Sequence, residues 1–318
     1  GNLNFSNKDY NKINQLTPLE WINKTYLELQ NNENIKILNR TSVAAYHNYN
    51  YLIMIQNLTD HLPDKDKKGK IRQRLWKVRA KKVILATGSI ERPLTFNNND
   101  RPGIMLSHSA NYYAIQNQNI GKNIIFFTNN DYAYQVAISL TNKDSADKII
   151  IIDLRNNSDG DLIKKAKSLG IKILFNHIIT NTSGRKKISS VFVHKIDEQT
   201  NKIISSYGKI PCDLLCISGG WTPTVHLFTQ SRGKLIYRES DATFIPDQSF
   251  QNEISVGACN GTFELDKIIE EINIKISKLF SQLGKTIKKE NYINPLNIEK
   301  IFYDKMKHLW IIPSNIDF

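Results

Sequence analysis

Three stretches constrain the fold of this chain more than the rest, because each is an apolar run that ends in a turn of small residues. Val83-Ile84-Leu85 leads into Ala86-Thr87-Gly88. Asp213-Leu214-Leu215-Cys216-Ile217 leads into Ser218-Gly219-Gly220, with Pro223 close behind. Ile254-Ser255-Val256 leads into Gly257-Ala258-Cys259-Asn260-Gly261-Thr262. A continuous apolar run predicts a strand buried on both faces, and hence a parallel or mixed sheet in an α/β protein. Small residues at the strand ends let the backbone approach a ligand closely. The third turn also enters a helix, where free amide groups suit phosphate or ribityl oxygens. Together the three turns predict a dinucleotide-binding fold, with Ala86, Thr87, Gly88, Gly220, Gly257, Asn260, Gly261 and Thr262 as candidate cofactor-binding residues.

The segments around these turns fit that architecture. Leu19, Ile22, Tyr26 and Leu29 fall on one helical stripe after Thr17-Pro18, which reads as an N-cap followed by proline in the first turn. Residues 34–39 read as a short strand, and 41–57 and 72–82 as strands of a β-meander. Between the first and second small turns lie an apolar strand (123–127), a helix (132–140), a strand (148–153), a helix (159–169) and a strand (171–175). That alternation is a βαβ unit extended into a doubly wound pattern. Residues 188–196 and 202–210 read as an antiparallel pair, and 265–283 as an amphipathic helix. From Lys285 onward the chain is polar and linker-like.

Charge and cysteine content narrow the chemistry. The formal charge is +13, but the lysines are spread along a chain rich in Lys, Asn and Ile, which fits a coding bias better than a basic patch. No aromatic-interleaved basic stripe accompanies them, so nucleic acid is not an expected partner. No stretch reaches the ~18–20 apolar residues of a membrane span. Three cysteines with no Cys-x-x-Cys predict no disulfide framework and fit a reducing cytoplasm. Cys212 and Cys216, four apart on a strand, are expected on one face as small buried hydrophobes. His61, His108 and His226 have no metal-ligand spacing, so no metal site is expected and each is read as structural. No catalytic acid, base or nucleophile is recognisable.

Longer motifs carry a resemblance. Thr59-Asp60-His61-Leu62-Pro63, the run Arg72 to Lys81, Glu91-Arg92-Pro93-Leu94, Asn99 to Leu106, Thr128-Asn129-Asn130-Asp131, Val225-His226-Leu227-Phe228 and Asn260-Gly261-Thr262-Phe263 resemble the alpha subunit of heterotetrameric sarcosine oxidase. The order of the three turns resembles flavoproteins of the glutathione-reductase type, which have two dinucleotide-binding domains. The resemblance implies a first Rossmann-like domain with a β-meander at 1–118, truncated at its start, and an inserted second such domain at 119–212. It also implies a return to the first domain at 213–284 and a linker at 285–318 toward a folate-binding region. The opening Gly-x-Gly-x-x-Gly turn of the first domain is not found between Gly1 and Leu38, so it is expected upstream. The implied assembly contains beta, gamma and delta subunits. NAD is implied on the alpha subunit, FMN at its interface with beta, FAD and amine oxidation on beta, and tetrahydrofolate on the missing C-terminal region. Alpha subunits of an opine oxidase or a dye-linked proline dehydrogenase fit the same motifs, as does a scaffold with a vestigial nucleotide site.

Departures from the family pattern sharpen the expectation. The second domain has Thr128-Asn129-Asn130-Asp131-Tyr132-Ala133 where Gly-x-Gly-x-x-Ala is expected. Side chains in place of both glycines obstruct the approach of a pyrophosphate. Asp153 stands at the position of a ribose-binding acid but is read as a strand-end residue. At the third turn Gly257-Ala258 replaces the Gly-Asp of FAD-binding relatives, which favours NAD over FAD. The nucleotide is therefore expected in a cleft lined by Thr87, Gly88, Gly220, Gly257 and Gly261.

Overall fold

The structure is a computed structural model that describes residues 13, 15–142, 146–156, 159–285, 287–288, 292–293 and 305–313. It divides into two compact units. Unit 1 comprises Gly1–Ser89, Pro223–Arg238 and Thr243–Glu299; unit 2 comprises Ile90–Thr222, Glu239–Ala242 and Lys300–Phe318. The chain begins with α1 (Pro18–Gln30), β1 (Thr41–His47), β2 (Tyr51–Asn57), the single turn α2 (Asp64–Lys67), β3 (Gln73–Arg79) and β4 (Val83–Leu85). It continues through β5 (Ser89–Glu91), β6 (Ile104–Leu106), α3 (Ser107–Ile115), β7 (Asn123–Thr128), α4 (Tyr132–Asn142), β8 (Lys148–Asp153), α5 (Asp161–Ser168) and β9 (Lys172–Phe175). Then come β10 (His177–Ser183), β11 (Ser190–Ile196), β12 (Ile203–Pro211), β13 (Leu214–Ser218) and β14 (Trp221–Pro223). The last elements are α6 (His226–Gln230), β15 (Lys234–Arg238), β16 (Thr243–Gln248), β17 (Glu253–Ser255) and α7 (Leu265–Gln282).

Unit 2 is built on a five-stranded parallel sheet in the order β6-β13-β7-β8-β9. Its apolar runs are buried on both faces, as the sequence requires, because successive side chains alternate between two cores. Ile125, Phe127, Ile150, Ile152, Leu215 and Ile217 pack with Ile178, Val191 and Val193 of the antiparallel sheet β10-β11-β12. Ile124, Phe126, Ile151 and Leu214 pack with Ala110, Tyr134, Ala137 and Ile163 on the helices. Helices therefore cover one face and a second sheet the other. Asp213 fixes the register: its carboxylate accepts from the backbone amides of Lys122 and Asn123, at 2.9–3.1 Å, so β7 and β13 start level. Asp197, in the β11–β12 turn, is held below the usual carboxylate range by amide and hydroxyl donors of Thr200.

Unit 1 contains the expected meander, an antiparallel sheet β1-β2-β3, and a parallel pair β4-β17. Tyr46, Leu52, Val83, Leu85, Phe228 and Cys259 form its core. Thr17 and Glu20 close a capping box around α1, worth about 1 kcal/mol.

Several expectations are corrected. Residues 34–39 form no strand; the amide of Ile35 instead donates to Asn32 in a turn, and so short a polar segment finds no ladder partner. Ile84 in β4 is 46% exposed, so this strand is buried on one face only. Cys212 and Cys216 are both buried but lie in opposite cores, because Cys212 precedes the strand and the two-residue alternation does not reach it. Residues 90–118 fall in unit 2, not with the first domain, since β6 pairs with β13. The hairpin β15-β16 was not legible, because Pro246 and a run of polar residues mask its alternation. Of the expected linker, residues 305–313 pack on unit 2 instead; most of the remainder lies outside the described residues.

Glu91 is a buried carboxyl group of unit 2. It is 5% exposed, accepts from the backbone amide of His108 at 2.8 Å and also has the Ser218 side chain as a hydrogen-bond partner. Burial outweighs these bonds and raises its pKa from 4.5 to about 7. That rise corresponds to about 3 kcal/mol of preference for the protonated form. Because the folded value is the higher one, this stability is complete below pH 4.5 and is lost as pH rises through about 7. Glu91→Gln should flatten the decline in urea midpoint between those pH values; an unchanged slope would assign the dependence elsewhere.

Candidate functional site

The strand ends of each unit place the predicted residues in two clusters. In unit 1, β4 and β17 run parallel with Leu85 opposite Ser255, so Ala86-Thr87-Gly88 and Val256-Gly257 leave the sheet side by side. Val256 donates its amide to the Leu85 carbonyl at 2.9 Å, and the Cys259 thiol lies 3.1 Å from the same oxygen. Ala86 and Thr87 are exposed. Gly88 has φ +75°, and a Cβ built on it meets nothing within 4 Å. The small residues thus border open space, although a valine at Gly88 would strain the backbone whatever it met. Thr87 is oriented by its hydroxyl, which donates to the Thr224 carbonyl at 2.7 Å.

The third turn, a 3-10 turn over Gly257–Asn260, brings Gly257, Asn260, Gly261 and Thr262 into the same unit, with a feature the sequence pattern did not reveal. Glu271 of α7 accepts from the Gly257 amide at 3.2 Å and from the Asn260 side chain at 2.6 Å. Lys275 lies 2.7 Å from the Glu271 oxygen that accepts from Asn260 and also donates to the Ser255 carbonyl. The signal available was a Glu-Lys pair four apart on an amphipathic helix, which more often marks a solvated face. Gly261 does not border open space: a Cβ there would come within 2.6 Å of Ile245 and 3.0 Å of Arg238. Its φ of +80° and this close packing account for the glycine.

In unit 2, Ser218, Thr128 and Asp153 stand in register at the carboxyl ends of β13, β7 and β8. The sheet grows from β7 toward β9 on one side and toward β13 on the other, which makes this end the topological switch point where doubly wound folds bind ligands. Here the turn is filled by its own side chains. Thr128 donates to the Asn130 and Ser218 carbonyls at 3.0 Å. Asn130 donates to Asn129 and to Ser218, and its oxygen takes the Tyr132 amide at 2.9 Å. Asn129, Asn130 and Asp131 are each at most 2% exposed.

The acid at the end of β8 is equally committed. Asp153 is fully buried, accepts from the Tyr134 hydroxyl at 2.7 Å and pairs with Arg155 at 2.8 Å. Arg155 also reaches Asp131 at 2.7 Å, tying the β7 turn to the end of β8. Burial works against the Arg155 charge, but the two carboxylates outweigh it and hold its pKa above the ordinary value. Gly220, the remaining predicted residue, belongs to this unit. Its open side is taken by Met306 and Arg92, each 3.1 Å from a built Cβ. Among the described residues no group of three or more metal-ligating side chains occurs and no helix is long and apolar enough to cross a membrane.

No family model matches the chain. It is 33% identical over 247 residues to the sarcosine oxidase subunit alpha of Corynebacterium sp. (strain P-1), which covers 77% of this chain and 25% of that protein. It is 34% identical over 256 residues to the subunit of the same name from Corynebacterium sp. (strain U-96), covering 80% and 26%. Among solved structures, L-proline dehydrogenase from P. horikoshii superposes with a TM-score of 0.55 at 18% identity, over 90% of this chain and 50% of that one. Lactococcus lactis thioredoxin reductase gives 0.54 at 15% identity, over 83% and 80%. The fold is the Rossmann-type FAD/NAD(P)-binding fold of these oxidoreductases. Over the residues they share, this chain belongs with the sarcosine oxidase alpha subunits, of whose length it spans about a quarter.

Proposed function

We propose that the chain is the dinucleotide-binding portion of the alpha subunit of a sarcosine oxidase complex, with NAD held at the ends of β4 and β17. The observation that carries this reading is the one-third identity to such subunits over about four-fifths of the chain. The side-by-side exit of Ala86-Thr87-Gly88 and Val256-Gly257 from the sheet, with open space beside Gly88, supports the position. NAD supplies a hydride-accepting nicotinamide and an anionic pyrophosphate.

The residues present fit such a ligand unevenly. Ala86, Thr87 and Gly88 leave room for close approach, as a pyrophosphate needs. At the Gly257–Thr262 turn, Glu271 already takes the free donors, and its carboxylate repels phosphate unless Lys275 fully offsets it. That turn suits a ribose hydroxyl, which can donate to the carboxylate. Gly220 and Gly261 serve the protein's own packing and are not ligand contacts in this reading.

In the full reaction sarcosine, tetrahydrofolate and oxygen yield glycine, methylenetetrahydrofolate and hydrogen peroxide. This reading assigns amine oxidation and FAD to a beta subunit, FMN to the alpha–beta interface and folate to a further region of alpha, with gamma and delta completing the assembly. It gives the residues of this chain no acid–base or nucleophilic role in the oxidation.

Two outcomes follow. The purified chain, given FAD or FMN and sarcosine, should produce no hydrogen peroxide above the flavin-only control; sarcosine-dependent peroxide would place catalysis on this chain after all. In the assembled complex, Ala86→Glu should lower NAD content at least about tenfold while circular dichroism and subunit stoichiometry stay unchanged. Ala86 is exposed and is not among the residues at positive φ, so this change tests the ligand without straining the fold. Full occupancy in a folded variant would move the site away from β4, and oxidation of opines or proline in place of sarcosine would name a different amine oxidase.

A further inference from the structure

The crevice at the switch point of unit 2 is covered by a segment distant in sequence. Lys307 brackets Asn129 from both sides: its amide donates to the Asn129 carbonyl at 3.4 Å, and its carbonyl accepts from the Asn129 side chain at 2.9 Å. Met306 sits against Gly220, its sulfur 3.1 Å from where a Cβ would stand. Leu309 packs on the core between the two sheets. The Trp310 ring stacks with His308 and lies under the Arg92 guanidinium, 5.1 Å from its centroid. Lys307 reaches the Glu198 carbonyl at 3.2 Å. Arg92 is itself held in place by the Gly219, Asp241 and Ala242 carbonyls at 2.9–3.2 Å.

We propose that this crevice is a peptide site: the end of the sheet that receives a dinucleotide in doubly wound folds here receives residues 306–310 of the chain itself. Three independent features point the same way. The turn presents Asn129, whose side-chain amide donates to a passing backbone carbonyl and whose own carbonyl accepts from the passing amide, where a phosphate cradle would present glycine amides. The acid that would hold a ribose is consumed by Arg155 and Tyr134. Gly220 at φ +96° leaves a notch filled by a thioether, a side chain suited to irregular gaps. The segment gives its backbone to Asn129 and its Met306 side chain to the notch, the division between main-chain affinity and side-chain fit that peptide recognition uses.

Hydrogen exchange on the full chain tests the assignment. In the wild type, peptides covering 128–132 and 217–221 should be protected, and added NAD should leave that protection unchanged. Met306→Ala/Trp310→Ala should speed exchange in both peptides by at least about tenfold, while strands β7 and β8 keep their protection and show that the sheet is intact. Trp310→Ala alone should give a smaller increase and serves if the double variant does not fold. A synthetic peptide of sequence Lys-Met-Lys-His-Leu-Trp-Ile-Ile should restore protection to the variant and leave the wild type unaffected. Equal exchange in wild type and variant would show that the segment is not seated there. Protection of the wild-type turn by NAD would show that the crevice is a nucleotide site. Neither result bears on NAD occupancy at Ala86, so this inference and the proposed function fail separately.

Discussion

The architecture of unit 2 depends on one buried charge cluster. Arg155, 5% exposed, lies between Asp131 and Asp153, and Tyr134 closes the group with a hydroxyl bond. A lone buried charge of this kind costs several kcal/mol, so each member requires the others. The consequence is geometric. Asp131 belongs to the turn after β7, Asp153 ends β8, and Tyr134 opens α4; the cluster therefore clamps strand, turn and helix at the point where a dinucleotide-binding domain keeps its glycines and its ribose acid. With the clamp in place the side chains of the turn are committed to the protein, and backbone from elsewhere in the unit can lie against it.

This explains why the strand-helix plan of unit 2 was legible in the sequence while its site chemistry was only half so. The runs Asn123–Thr128, Lys148–Asp153 and Leu214–Ser218 are continuously apolar between their polar ends, and burial on both faces follows directly from that pattern. The loss of glycine at Thr128–Asp131 was equally plain. What fills the space was not, because Asn129 and Met306 are 177 positions apart and neither carries a local signal. In the segment 305–313 the polar residues Lys305, Lys307 and His308 interrupt the apolar ones, so no regular periodicity marks it as packed. Its anchors, Met306, Leu309 and Trp310, are single side chains fitted to a surface that exists only after folding.

Unit 1 shows the opposite balance. Its small-residue turns stand out in the sequence, and the structure places two of them beside each other on the β4-β17 pair. The strand itself misled: Val83-Ile84-Leu85 reads as doubly buried, yet Ile84 is 46% exposed because the described residues supply β4 with one neighbour, β17. Glycine was likewise an ambiguous sign. Gly88 borders open space, whereas Gly261 is required by the approach of Ile245 and Arg238, and both have the positive φ that only their backbone conformation reveals.

The contrast between Glu271 and the clamp of unit 2 bears on what each strand end can accept. In both, a carboxylate has taken backbone or amide donors that a ligand would otherwise use, and in both a cation neutralises it. The difference is exposure. Arg155 is sealed in, with side-chain exposure of 5% beside a fully buried Asp153, so opening that site means uncovering unpaired charge in a medium of low dielectric. Lys275 is 32% exposed and Glu271 13%, and water can solvate either one if the pair separates. A ligand hydroxyl can therefore displace Lys275 from Glu271 at the modest cost of a partly exposed ion pair, on the order of 1 kcal/mol or less. The same exchange at Asp153 would cost several times that, so of the two strand ends the one in unit 1 is the easier to remodel.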